Sequence, residues 1–247
     1  NKWSKIKHKK GIADAKRSKL WTRLIREVSV AARLGGDDAS TNPRLRSALA
    51  DARAANMPKD TMIRAIAKGA GGQGGADYED LIYEGYAPAG VAILVSCLTD
   101  NRNRTSGDVR AAFHKNGGNL GSTNSVAFLF DKRGQLVFDK IGADGSTLSE
   151  DRLLEVGMDQ GVDDVRSEED VWVVSCGPND FHALRDAYAS VHLEPVAAEV
   201  AMVPQTSVRI SGGDARQVLK IVEILEELDD VQNVWSNYEI DEDELER

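Results

Sequence analysis

The chain is poor in the residues that build covalent or metal frameworks. Two cysteines, Cys97 and Cys176, lie far apart, each inside an apolar run. They read as buried thiols in a reducing compartment, and a disulfide scaffold is excluded. Four histidines, His8, His114, His182 and His192, have no Cys or carboxylate at metal-ligand spacing, so no metal is expected. No apolar run approaches the ~18 residues that span a bilayer. The first residues show no charged n-region leading into an apolar h-region. The expected setting is therefore cytoplasmic, away from membranes. There is no Gly-x-Ser-x-Gly elbow and no Walker loop. Gly69-Ala70-Gly71-Gly72-Gln73-Gly74 fits a GxGxxG pattern, but it follows a helical stretch instead of a strand. The Gly-Gly-Gln it contains sits in a glycine-rich linker, where the reading is a hinge. An enzyme is not expected, nor a cofactor, nor a small-molecule substrate; a hydrolase is the remote alternative.

Charge is abundant, and it is split. Residues 1–75 hold 17 Lys and Arg against 6 Asp and Glu, a net of +11. Residues 76–247 hold 14 against 34, a net of −20, so the overall −9 conceals two opposite ends. A basic head on an acidic body suits a protein that touches a polyanion at one end, because the body repels the same polyanion and restricts docking.

The head begins with a polar arm carrying Lys5, Lys7, His8, Lys9 and Lys10. From Lys16 an apolar helical period sets in. Leu20, Trp21, Leu24, Ile25, Val28, Ala31 and Ala32 share one sector, and Lys16, Lys19, Arg23, Arg26 and Arg33 the opposite one, which is expected to face solvent. Arg17 extends this basic surface. Gly35-Gly36 ends the helix. Asn42-Pro43 reads as an N-cap and a first helical residue, with Leu45, Leu49 and Ala52 inward and Arg44 and Arg46 outward. Pro58 opens a third helix with Met62, Ile63 and Ile66 inward, ending at Gly69. These helices make a small bundle, followed by the linker.

The body alternates strands, hairpins and helices. Strands fit residues 125–130, 135–139, 171–176 and 195–203, and helices fit residues 104–115, 149–156, 180–190 and 214–228. Intervening hairpins favour α+β split-βαβ units over a doubly wound parallel sheet. Asp100-Asn101-Arg102-Asn103-Arg104-Thr105 falls between a strand and a helix. Asp100 or Asn103 would cap that helix. Arg102 and Arg104 either hold a phosphate at the helix N-terminus or pair with acids such as Glu84 or Asp100. Tyr83 and Tyr86, flanking Glu84-Gly85, are sheet surface or a stacking platform.

The segments KWSKIKHKKGIADAKRSKLWTRLIREVSVAARLGG, NPRLRSALADARAANMPKDTMIRAIAKG, LIYEGYAPAGVAI, LTDNRNRT and NGGNLGSTNSVAFLF resemble the YebC family, which includes the translational activator of mitochondrial cytochrome c oxidase. The family turn usually reads YEGYGPGG, where this chain has Ala87 and Ala89. Asn124 stands where a glycine is common; Asn tolerates the left-handed conformation. The resemblance implies three domains around a central cavity: residues 1–75, residues 76–133 with 207–247, and an inserted domain at 134–206. It implies either a DNA-binding transcriptional regulator or a ribosome-associated translation factor that contacts rRNA or tRNA and relieves stalls. The nucleic-acid contacts expected are Lys5, Lys7, His8, Lys9, Lys10, Lys16, Arg17, Lys19, Arg23, Arg26, Arg33, Arg44, Arg46, Arg102 and Arg104. A mobile Lys-rich arm suits irregular RNA at least as well as a DNA groove.

Overall fold

The computed structural model describes residues 14–71, 78–142 and 145–240, without the side chains of 14–18. Along the chain, α1 is Asp14–Gly35, α2 Pro43–Ala54 and α3 Lys59–Ala70. Then come β1 Glu79–Tyr86, β2 Ala92–Thr99, α4 Arg102–His114, β3 Asn119–Leu120 and β4 Phe130–Asp139. They are followed by α5 Glu150–Gly157, β5 Val162–Glu168, β6 Val171–Cys176, α6 Phe181–Ser190 and β7 Ala197–Pro204. The chain closes with β8 Val208–Arg209, α7 Gly212–Glu227, β9 Val231–Ser236 and β10 Tyr238–Glu239. The class is mixed α+β. Two compact units form, one from residues up to Leu129 with those from Thr206, the other from Phe130–Gln205.

In the first unit, α1, α2 and α3 enclose Val28, Ala31, Ala32, Leu45, Leu49, Met62 and Ala65. Asn42 is the joint between α1 and α2. Its side-chain oxygen accepts from the Leu45 N–H at 3.0 Å, as an N-cap should. Its amide donates to the Ala31 and Gly36 carbonyls, each at 2.8 Å. The helices α1 and α3 cross closely: a Cβ on Gly69 would lie 2.1 Å from the Ser29 carbonyl oxygen. This is why glycine stands there. Ile63, expected inward, is exposed; Met62, Ala65, Ile66 and Gly69 form the inner face at helical spacing instead.

The same unit holds an antiparallel sheet in the order β3-β1-β2-β9. Val109 and Phe113 of α4 and Val218, Ile221 and Leu225 of α7 pack with Ile93, Val95 and Cys97 of β2. A short parallel pair, β8 with β10, lies apart from it. The second unit runs β-α-β-β-α-β with the antiparallel order β5-β6-β4-β7. This is the split-βαβ arrangement expected, with Leu136, Phe138, Leu153, Val174, Leu184 and Tyr188 at its core.

Two strand expectations fail. Residues 125–130 are not a strand: Ala127–Leu129 is a 3-10 turn, and Lys132-Arg133-Gly134, expected between strands, lies inside β4. The strand β5 was not anticipated, because its residues are nearly all polar. It is an edge strand with only Val165 buried, so it lacks the alternation that marks a half-buried strand.

Candidate nucleic-acid interface

The basic stripe of α1 does not simply face solvent. Lys19 Nζ donates to the Glu227 carbonyl at 2.8 Å, and Arg23 donates to the carbonyls of Glu226 and Leu228. Arg26 donates to the carbonyls of Leu98 and Asp229, each at 2.9 Å, and pairs with Asp230 at 3.1 Å. The i, i+4, i+7 spacing lines these cations along the C-terminal end of α7. Helix geometry leaves the last carbonyls of α7 without intrahelical donors, and the macrodipole makes that end negative. Burial lowers the Arg23 pKa, against the raising effect of Glu226 and Asp229. The expectation that Arg23 and Arg26 face solvent is corrected: backbone acceptors two hundred residues away in sequence are invisible to a helical projection.

The aspartate that receives Arg26 is the hub of the LTDNRNRT segment. Asp230 is buried and accepts from Arg104 at 2.8 Å, Thr105 at 2.7 Å and Thr99 at 3.2 Å. Burial alone would raise its carboxyl pKa. The bonds from Arg104 and Thr105 and the charges of Arg104 and Arg26 outweigh burial and hold it below the usual carboxylate range. Arg104 also pairs with Asp100 at 2.9 Å. The hydrogen bonds that Arg104 donates to Asp230 and Asp100 raise its pKa. The residue that caps α4 is Asn101, which accepts from the Arg104 N–H at 3.0 Å, not Asp100 or Asn103. Arg102 pairs with Glu79 at 3.1 Å, both exposed.

The remaining expected contacts divide in two. Arg44 makes a two-pronged pair with Glu27, at 2.6 and 3.0 Å, and reaches Asp80 at 3.3 Å. The Glu27 bond raises its pKa despite burial. Arg46 donates to the Ala39 and Ser40 carbonyls. Arg33 is exposed near the end of α1 and lines a cavity with Lys68 and Tyr78. Lys5, Lys7, His8, Lys9 and Lys10 lie outside the described residues, as do the side chains of Lys16 and Arg17.

A second buried acid organises the YEGY segment. Glu84 accepts the backbone N–H groups of Asn124, Val126 and Ala127 at 2.6, 2.8 and 2.7 Å. It therefore holds the loop before β4 and pairs with neither Arg102 nor Arg104. Tyr86 assists, donating its hydroxyl to the Ser125 carbonyl at 2.9 Å. Sequence reasoning had no role for Asp230 and the wrong partner for Glu84. For Glu84 the available signal was an acid standing alone among sheet residues, which demands a partner once buried; Asp230, the second of two adjacent aspartates after Glu226 and Glu227, carried no such mark.

Burial pushes the Cys97 thiol up to about 12 and the Cys176 thiol up to about 11, so neither is a thiolate at neutral pH. Among the described residues no cluster of His, Cys, Asp and Glu is placed to hold a metal, and no helix is long and apolar enough to cross a membrane.

Residues 1–72 match the TACO1/YebC protein N-terminal domain, and residues 78–238 match the TACO1/YebC second and third domain. A probable transcriptional regulatory protein of Desulforapulum autotrophicum is 50% identical over 240 residues, covering 97% of this chain and 95% of the relative. One of Geobacter sp. strain M21, also named a probable transcriptional regulatory protein, is 48% identical over 247 residues, covering 100% of this chain and 98% of its own. A crystal structure of a conserved hypothetical protein from Aquifex aeolicus superposes with a TM-score of 0.85 at 43% identity, over 98% of each chain. With both family models matched in sequence order and near-complete coverage by relatives at this identity, the chain belongs to the TACO1/YebC family.

Proposed function

We propose that this chain is a nucleic-acid-binding regulator of gene expression, in keeping with the transcriptional regulatory name its relatives carry. The observation that carries the reading is the charge split, +11 over residues 1–75 against −20 over the rest. Lys19, Arg23, Arg26, Arg44 and Arg46 bond within the unit, and in this reading the arm lysines with Lys16 and Arg17 supply the polyanion contact.

A second reading, a ribosome-associated factor contacting rRNA or tRNA, draws support from one structural observation. A groove-reading helix presents a row of outward side chains to base edges. Here the middle of α1 is committed to the end of α7, and Arg44 of α2 to Glu27 and Asp80. Such a head is better suited to phosphates on an irregular surface than to base edges.

Equilibrium binding at graded salt, against duplex DNA and against single-stranded and ribosomal RNA, tests both. With about six phosphates neutralised, log K against log salt should fall with a slope of about −5 for duplex DNA and about −4 for a single strand. A slope shallower than about −2 on every polymer would show that the basic head is not the binding surface. Cosedimentation with ribosomes that RNase abolishes selects the second reading; tight duplex binding without it selects the first.

A further inference from the structure

We infer that Phe128, on the loop between β3 and β4, is a stacking residue for an unpaired RNA base. The residue is 65% exposed, although Val126 and Phe130 on either side of it are buried. A phenyl ring left in water gives up the burial that ordinarily holds a phenylalanine in place. Single exposed apolar residues are common and mean little by themselves. Phe128 differs in how firmly it is presented. The buried carboxylate of Glu84 accepts the N–H groups of Asn124, Val126 and Ala127 at 2.6, 2.8 and 2.7 Å. Gly121 N–H donates to the Glu84 carbonyl at 2.7 Å, and the Tyr86 hydroxyl donates to the Ser125 carbonyl at 2.9 Å. Leu129 N–H donates to the Val126 carbonyl at 3.0 Å, closing the 3-10 turn Ala127–Leu129 that carries the ring. A buried acid thus fixes a turn whose tip is an aromatic face in water. The ordering cost of that turn falls on folding, before any ligand arrives.

The surroundings of the ring select the ligand. Residues 109–130 contain no Asp or Glu, the longest such run in a body whose net charge is −20. A polyanion repelled along most of that body meets no local carboxylate in this segment. The exposed residues that precede the ring on its loop are Ser122, Thr123 and Asn124. Their hydroxyls and amide offer donors and acceptors for sugar hydroxyls and base edges. A protein partner would call for an apolar surround from which water is excluded, and these loop neighbours are polar. A nucleobase needs only a π-face to stack on. Paired bases in a duplex stack on one another and hide that face, whereas RNA loops and ends splay unpaired bases outward. The inference deepens the function proposed above and rests on it, adding a base contact outside the basic head.

The test measures binding of the full chain to a single-stranded RNA of about ten nucleotides, to the same sugar–phosphate chain without bases, and to an RNA duplex. Phe128→Ala and Phe128→Leu should each weaken the single strand about fivefold or more. Their salt slopes and melting temperatures should match those of the native protein, because the ring is uncharged and exposed. Phe128→Tyr and Phe128→Trp should keep the affinity, and RNA should quench the emission that Phe128→Trp adds. The chain without bases should bind native protein and Phe128→Ala alike. Equal single-strand affinity in the native and Phe128→Ala proteins overturns the stacking site. Full affinity in Phe128→Leu overturns it as well, since apolar bulk without a π-face then suffices. Native protein that binds only duplexes, at the salt slope expected above, overturns the site and leaves the earlier reading standing. A slope shallower than about −2, with the Phe128→Ala loss intact, keeps the site and sinks the reading built on the basic head.

Discussion

At position 89 an alanine sits with φ of 60°, and at position 124 an asparagine with φ of 64°. Both stand where the family commonly has glycine, and both need the left-handed region. Asn visits it through local hydrogen bonding, as the sequence led one to expect, but an alanine there bears strain of about 1–2 kcal/mol. Glycine would remove that strain and return part of it as unfolded-state entropy, about 0.5–1 kcal/mol. Ala89→Gly is therefore expected to stabilise by about 0.5–1 kcal/mol, a rise in Tm of ~1–3 °C. Ala89→Val should lower Tm. A fall in Tm for Ala89→Gly, measured by calorimetry, would show that the β1–β2 turn is not strained at this residue.

Among the elements, the contact between α1 and the end of α7 is the one most open to test. Asp230 binds Arg26 from α1 and Arg104 from α4. Its folded pKa lies below the ordinary 3.8. The stability it contributes is therefore whole above pH 3.8 and is lost as pH falls through the lower folded value. Asp230→Asn should cost about 2–4 kcal/mol at neutral pH, since a buried partner of two guanidiniums is removed while Arg104 remains half in water. The variant should also show a flatter loss of stability on acidification. An Asn variant with native Tm and a native acid limb would remove Asp230 from the role of hub. Arg26→Ala belongs to the same network and should lower Tm as well, because the Leu98 and Asp229 carbonyls lose their donor.

On the scale of the molecule the basic residues serve two purposes that mutation can separate. Some hold the fold, as Arg26 and Arg44 do through Asp230 and Glu27. Others are proposed to meet the polyanion. Replacing Lys5, Lys7, Lys9 and Lys10 together by Gln should leave Tm unchanged and make the salt slope of binding shallower by about 3. Arg26→Ala should do the reverse, lowering Tm while changing the slope little once the protein is folded. An unaltered slope in the lysine variant would place the contact elsewhere.

What the sequence determined by itself was local or compositional. The helix start at Asn42-Pro43, the inner face of α2, most of that of α1 (Leu20 is exposed and Val30 buried), the buried thiols and the split of charge all depend on neighbours within a turn or on simple counts. The split-βαβ class followed from the intervening hairpins and helices, but the second unit's element order did not: the strand expected at 125–130 is absent, and the polar edge strand β5 gave no periodic signal. Tertiary structure alone decided what the charged side chains touch. A helical projection says which side of α1 Arg23 and Arg26 occupy, but not that carbonyls of α7 lie opposite. Likewise LTDNRNRT reads as a cap and two arginines until Asp230, more than a hundred positions away, enters between Thr99, Arg104 and Thr105. Helix periodicity and capping are set by backbone geometry over a few residues. The partner of a buried charge is set by which distant groups the fold brings within about 3 Å, and no local pattern encodes that.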